Sequence, residues 1–115
     1  MIKLILLVRR KESLSFDEFR SYYESTHAPL AAASLPRLRK YCRNYLKAFP
    51  GQDAPLFDCV TEFWFDDEQG LSETLKFAHS PEGQVLAEDE ERFMDRKSMR
   101  TYIADETPTQ IQGEQ

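Results

Sequence analysis

Two segments that read as β-strands carry large apolar side chains on both faces, and a sheet built from them has no face suited to water. Residues 2–9 alternate Ile2, Leu4, Leu6 and Val8 with Lys3, Ile5, Leu7 and Arg9. Residues 57–65 set Phe57, Cys59, Thr61, Phe63 and Phe65 against Asp58, Val60, Glu62 and Trp64. At roughly 25 cal/mol per Å² of apolar surface, leaving such a face wet forgoes an amount comparable to the whole stability of a small domain. Helices can cover one face. A second copy of the chain is the cover predicted for the other.

The helices are signalled by their caps and periods. Ser15-Phe16-Asp17-Glu18 is a capping box, and Phe16, Phe19, Tyr23 and Thr26 follow at helical spacing. The reluctance of a pre-proline residue to be helical predicts an end near His27-Ala28-Pro29. A strand is expected over 38–46, with Lys40, Cys42 and Asn44 alternating against Tyr41, Arg43 and Tyr45, then a Pro/Gly-rich loop over 49–55. Asp66 or Asp67 caps a helix bearing Leu71, Leu75 and Ala78. Ser80-Pro81-Glu82 predicts a third helix start, with Val85, Leu86, Phe93 and Met94 as its apolar members around an acidic turn, Glu88–Glu91. Residues 98–105 read as the last strand. The order β-α-β-β-α-(α)-β is the ferredoxin-like α+β plan, one domain over 1–106 with a polar tail over 107–115. In a monomer of this plan the uncovered sheet face is polar; here it is not.

Charge and cysteine content narrow the function. The net charge is −5, with ten Lys/Arg against four Asp/Glu in residues 1–47 and five against sixteen thereafter. An acidic chain whose longest basic run is Arg9-Arg10-Lys11 is a poor partner for nucleic acid. The charge asymmetry is read as both signs mixed on one surface, with docking of two copies as the other reading. Cys42 and Cys59, 17 residues apart, give neither a zinc site nor a disulfide framework and read as small buried hydrophobes. The apolar N-terminus is too short to span a membrane, and its basic residues follow the apolar run instead of preceding it, so a strand and a cytoplasmic location are expected.

His27 leads the chemical candidates. At a helix end the dipole would favour its protonated form, and a histidine titrating near neutrality can shuttle a proton without a cofactor. Its structural alternative is to cap the last carbonyls and set the Pro29 turn. His79 reads as a loop residue or a neighbour of a helix cap. Two histidines without acidic residues at ligand spacing argue against a metal centre. Tyr22, Tyr41, Asn44, Tyr45, Trp64, Phe77 and Phe93 form the pool from which a pocket for a phenolic or polycyclic molecule would be lined, with Tyr41 or Asn44 as the hydroxyl or amide partner of His27. Glu62 is either a buried base of raised pKa or the partner of an arginine such as Arg100.

The segments MIKLILLVRRKESLSFDEFRSYYESTHAPL, LPRLRKYCRNYL, FDCVTEFWFDD and SPEGQVLAEDEERFMDR resemble the EthD (ethyl tert-butyl ether degradation) family of dimeric αβ-barrel proteins, over about residues 1–106. The sequence departs from the usual family pattern at Tyr22-Tyr23, where Tyr-Trp is common, and at Tyr45, where His is frequent. The resemblance implies two sheets facing each other in a homodimer, helices outside, and a pocket in each subunit between sheet and helices. Family members are linked to ether degradation beside a cytochrome P450 system, and fungal relatives include polyketide-processing lyases. Three readings follow. One is a cofactor-free enzyme moving protons on a small hydrophobic or aromatic substrate by dehydration, decarboxylation or isomerisation, with His27 and Asn44 as catalytic residues and Tyr22, Tyr41, Trp64, Phe77 and Phe93 binding substrate. Another is a non-catalytic binding protein of an oxidative pathway. The third follows haem-degrading relatives on the same barrel, through His27, Asn44 and Trp64. The first is preferred, with no metal, cofactor, nucleic acid or membrane partner expected.

Overall fold

The computed structural model describes residues 1–113; Glu114 and Gln115, the end of the expected tail, lie outside the described residues. The elements are β1 (Ile2–Val8), α1 (Phe16–Tyr22), a π-helical turn (Tyr23–His27), α2 (Ala28–Ser34), β2 (Lys40–Tyr45), β3 (Cys59–Phe65), α3 (Glu68–Ala78), a 3₁₀ turn (Pro81–Gly83), α4 (Gln84–Phe93) and β4 (Arg100–Asp105). The strands form one antiparallel sheet in the order β2-β3-β1-β4. This is the expected ferredoxin-like α+β arrangement.

Alternation decides what each face holds. Ile2, Leu6, Val8, Cys59, Thr61, Phe63 and Phe65 are buried beneath the helices, packed with Phe19 and Tyr23 of the first helical stretch, Leu71 of α3 and Phe93 of α4. The register pairs Tyr41 with Phe63 and Leu4 with Phe63 on this covered face. The open face carries the opposite parity: Lys3, Ile5, Leu7, Cys42, Asn44, Val60, Glu62, Trp64 and Tyr102. Ile5, Leu7, Val60 and Trp64 are already half-buried there, while Tyr102 is exposed.

The Ser15 box forms as expected: the Ser15 hydroxyl accepts from the Glu18 amide, and the Glu18 carboxylate accepts from the Ser15 amide. Of the two aspartates offered for α3, Asp67 is the cap, accepting from the Gly70 amide. Three expectations are corrected. The first helix does not stop at Pro29; it widens into the π turn, in which the Ala28 amide bonds the Tyr23 carbonyl five residues back, and runs on to Ser34. Pro29 follows directly after this wide turn, at the second position of α2. Ser80-Pro81 starts a short 3₁₀ turn, with the Ser80 hydroxyl donating to the Phe77 carbonyl instead of capping, and α4 begins only at Gln84. Val85 is exposed, not part of the apolar stripe. Ion pairs Arg10–Asp58, Arg39–Asp66 and Arg37–Glu73 tie the basic first part of the chain to its acidic remainder, so both signs mix on one surface. Among the described residues no helix is long and apolar enough to cross a membrane.

Candidate functional site

Between the covered face and the helices lies a cavity of about 350 Å³. Leu4 and Leu6 of β1 and Phe63 and Phe65 of β3 form its floor. Ala31, Leu35, Leu75, Leu86 and Ala87 contribute apolar wall, and His27, Glu90 and Arg96 are its ionisable members, with His79 at one end. The volume falls within the range of roughly 300–1,000 Å³ in which small-molecule sites occur. Gly83 shapes one corner. A Cβ there would stand 2.8 Å from Cα and from the carbonyl oxygen of Ala78, and closer still to the Phe77 carbonyl, so any side chain would push the turn off α3.

His27 is the last residue of the π turn, and such turns often mark functional positions because they rotate one side chain out of helical register. The imidazole is buried between the Tyr23 and Phe93 rings, with centroids 5.7 and 5.0 Å away. Its Nδ1 lies 2.8 Å from Oδ2 of Asp89. Asp89 is itself buried, and its other oxygen accepts from the Tyr22 hydroxyl at 2.6 Å and the Arg92 guanidinium at 3.0 Å. Burial alone would raise the Asp89 pKa; the hydrogen bonds from Tyr22, His27 and Arg92 outweigh it and hold the pKa below its ordinary value. An ionised carboxylate only accepts, so Nδ1 carries the hydrogen and Nε2 is left with its lone pair. Nε2 stands 4.0 Å from Oε2 of Glu90 on the cavity wall. Burial lowers the His27 pKa and Asp89 only partly restores it, which favours the neutral ring over the imidazolium. Because the helix continues past His27, the dipole argument for a protonated ring does not apply.

Glu90 is the second proton-carrying group. Burial pushes its pKa up to about 7; the charges of Asp89 and Glu91 add to this, and Arg96, whose Nε lies 3.2 Å from Oε1, opposes it. A neutral histidine and a carboxyl titrating near neutrality, side by side on an apolar cavity, form a pair that can accept a proton at one atom and return one at another.

The other residues named from sequence are placed as follows. Tyr22 reaches the site through Asp89, not by touching the cavity. Phe93 is fully buried and backs the imidazole. Tyr41 stacks on Phe63 with centroids 4.6 Å apart, and burial pushes its pKa up to about 12. Phe77 does not line the cavity. Tyr45 bonds Glu24, which Arg43 and Tyr45 together hold at a pKa of about 2. Asn44 and Trp64 are on the opposite face of the sheet from His27, since strand parity sets them with Glu62 and Lys3. Asn44 bonds the Val60 carbonyl at 2.9 Å and Glu62 at 3.3 Å. Its pairing with His27 is therefore corrected, and so is the grouping of His27, Asn44 and Trp64 on which the haem reading depended. Glu62 pairs with Lys3, not Arg100, on the open face; that pairing holds its pKa below the ordinary value. His79 caps α3, its Nδ1 bonding the Leu75 carbonyl at 2.8 Å.

Asp89 and Glu90 were hidden in the acidic turn of α4. A signal for them does exist: Leu86, Asp89 and Phe93 share one helix face, and a carboxylate set into an apolar stripe needs partners.

Comparison with solved structures places this arrangement. An ethyl tert-butyl ether degradation (EthD) family protein from Bacillus halodurans C-125 superposes with a TM-score of 0.72 at 27% identity, covering 93% of this chain and 99% of the other. An EthD-like protein from Ralstonia eutropha JMP134 gives 0.69 at 19% identity, over 90% and 89% of the two chains. A dimeric protein of unknown function and ferredoxin-like fold from Bacteroides fragilis NCTC 9343 gives 0.59 at 16%, over 90% and 94%. No curated protein matches. The EthD domain profile matches residues 11–97, a stretch that runs from just before the Ser15 box to just past Arg96 and contains His27, Asp89 and Glu90. The chain belongs to the EthD domain family.

Proposed function

We propose that this protein binds a small hydrophobic or aromatic molecule between sheet and helices and moves protons on it without a cofactor, in a dehydration, decarboxylation or isomerisation. The observation that carries the reading is the His27–Asp89 contact of 2.8 Å with Nε2 left on the wall of an apolar cavity. His27 is the base; Asp89, held by Tyr22 and Arg92, fixes its tautomer and steadies the imidazolium that forms. Glu90 returns the proton. Membership of a family named for ether degradation supports a catabolic setting. The same cavity supports a binding protein of an oxidative pathway as the second reading, because its walls are mostly apolar.

The working unit is a homodimer packed through the open sheet face. Half-buried Ile5, Leu7, Val60 and Trp64 lie there beside exposed Tyr102. The similar ferredoxin-like protein from Bacteroides fragilis is described as dimeric.

The test is exchange of α-hydrogens of small aromatic ketones for deuterium in D₂O, followed by NMR. The folded protein should accelerate exchange, and His27→Asn should abolish it while preserving fold and ligand affinity. Asp89→Asn should weaken exchange strongly, by analogy with the tautomer errors such changes cause. Ligand affinity without exchange would leave the binding reading. Undiminished exchange in a folded His27→Asn protein would overturn the assignment of the base.

A further inference from the structure

We propose that Arg96 is an anion anchor at the mouth of the cavity, and that the molecule bound there carries a carboxylate on an otherwise apolar body. The proposal rests on the cavity being the ligand site and adds the chemical class of what enters it. Arg96 is the one guanidinium on the cavity wall among the described residues. It also lines a neighbouring open cleft with Arg9, Lys11, Asp95 and Lys97, so it stands where the enclosed space meets solvent. Its Nε lies 3.2 Å from Glu90 and its Nη1 3.5 Å from Glu91, leaving further N–H donors of the fork free for an incoming acceptor.

Glu90 marks the position the ligand's carboxylate would take. One of its oxygens faces the Arg96 guanidinium and the other faces His27 Nε2 at 4.0 Å. A planar carboxylate is what a guanidinium fork holds best, and one bound in place of Glu90 would bring its α-carbon towards the base. Displacing Glu90 is made easy by its surroundings. The groups facing it are His27 from the π turn, Asp89 and Glu91 on its own helix, Tyr41 from β2, and Arg96, and only Arg96 favours its charge directly. A second carboxylate on Arg96 would drive Glu90 to take up a proton, so binding an anion should consume a proton from solution.

The probes are 2-naphthoate and its neutral analogue 2-naphthamide, titrated calorimetrically into the intact protein at pH 8 in two buffers of different ionisation enthalpy. The naphthoate should bind about tenfold or more tightly than the amide, the scale of one charge-assisted contact, and with proton uptake. Glu90→Gln should remove the proton uptake and keep the preference. Arg96→Gln should bring the ratio of the two affinities close to one, and Arg96→Lys should give an intermediate ratio; thermal melts check that each variant is folded. Equal binding of the two probes by the native protein, or a preference that survives Arg96→Gln, would overturn the anchor and leave the cavity reading standing. Failure of both probes to bind would sink the cavity as a ligand site, and the anchor with it.

Discussion

Phe65 and Trp64 are neighbours in one strand, both aromatic, and they meet opposite surroundings. Phe65 is fully buried under the helices on the cavity floor. Trp64 lies on the open face, its ring beneath the Lys3 and Lys40 ammonium groups at 4.5 and 5.0 Å. The covered face satisfies its polar groups across elements distant in sequence: Thr61 of β3 meets the Tyr23 hydroxyl at 2.7 Å, and His27 meets Asp89 of α4. The open face pairs its polar groups mostly within the sheet, through Lys3, Glu62 and Asn44. One alternating strand pattern thus separates the face that floors the cavity from the face proposed for assembly.

The largest expected effect tests that separation at these two residues. Phe65→Ala removes a ring from the core and should cost about 3–5 kcal/mol of stability, independent of protein concentration, in urea denaturation. Trp64→Glu should leave the single-chain core nearly intact and act on association. Sedimentation at micromolar concentration should give about twice 13.5 kDa for the native protein and close to 13.5 kDa for the variant. A native monomer would break the comparison, because the open face would then be a finished surface.

The second expected effect is one of sign, since Glu90 on the cavity wall and Glu62 on the open face are shifted in opposite directions. Glu90 has a folded pKa of about 7 against an ordinary 4.5. Between those values the folded chain holds the proton more tightly than the unfolded chain. Glu90 therefore contributes stability below pH 4.5 that is lost as pH rises through 7. Glu62 is held low by its hydrogen bond to Lys3, so its contribution is present above pH 4.5 and lost as pH falls. His27, lowered by burial, also loses stability as pH falls below 6.5. Glu90→Gln should abolish the neutral-side loss, raising stability at pH 8 relative to pH 5 by on the order of 1–3 kcal/mol. Glu62→Gln should instead flatten the acid limb. Thermal melts across pH would show both, and an unchanged profile for Glu90→Gln would mean that its carboxyl is wetter than its position implies.

The two faces were not equally legible in the sequence. Period-two alternation separated the two sides within each of the first three strands, Asn44 from Tyr41 and Trp64 from Phe63, and the register of the sheet then sets Asn44 and Trp64 with Glu62. Joining Asn44 to His27 failed because it ignored which face the helices cover, although Cys59, Phe63 and Phe65 already marked the greasier side. The end of the first helix misled for a different reason. Pro29 is a sound stop signal, but the wide turn before it relieves the clash the rule assumes, and nothing local announces a π turn. Asp89 and Glu90 were missed because a run of four acidic residues reads as a solvated surface until a partner histidine 62 positions away is known.

The smallest expected effects sharpen the comparison most, because they probe one hydrogen bond on each face. Tyr22→Phe deletes the hydroxyl that donates to Asp89 and changes little else, as the ring still packs on Phe93 with centroids 5.1 Å apart. Asp89 then keeps only His27 and Arg92, its affinity for a proton rises, and the imidazole is less firmly held. Deuterium exchange should fall by about 3- to 30-fold, less than the roughly 10- to 150-fold scale of a hydrogen bond made directly to a charged group, because Arg92 still holds Asp89, with ligand affinity nearly unchanged. Asn44→Ala deletes an amide that bonds the Val60 carbonyl and Glu62 on the open face. It should leave exchange unaltered. If Asn44→Ala slowed exchange as much as Tyr22→Phe, the base would have to be served from both sides of the sheet. The sheet would then no longer divide a catalytic face from an assembly face.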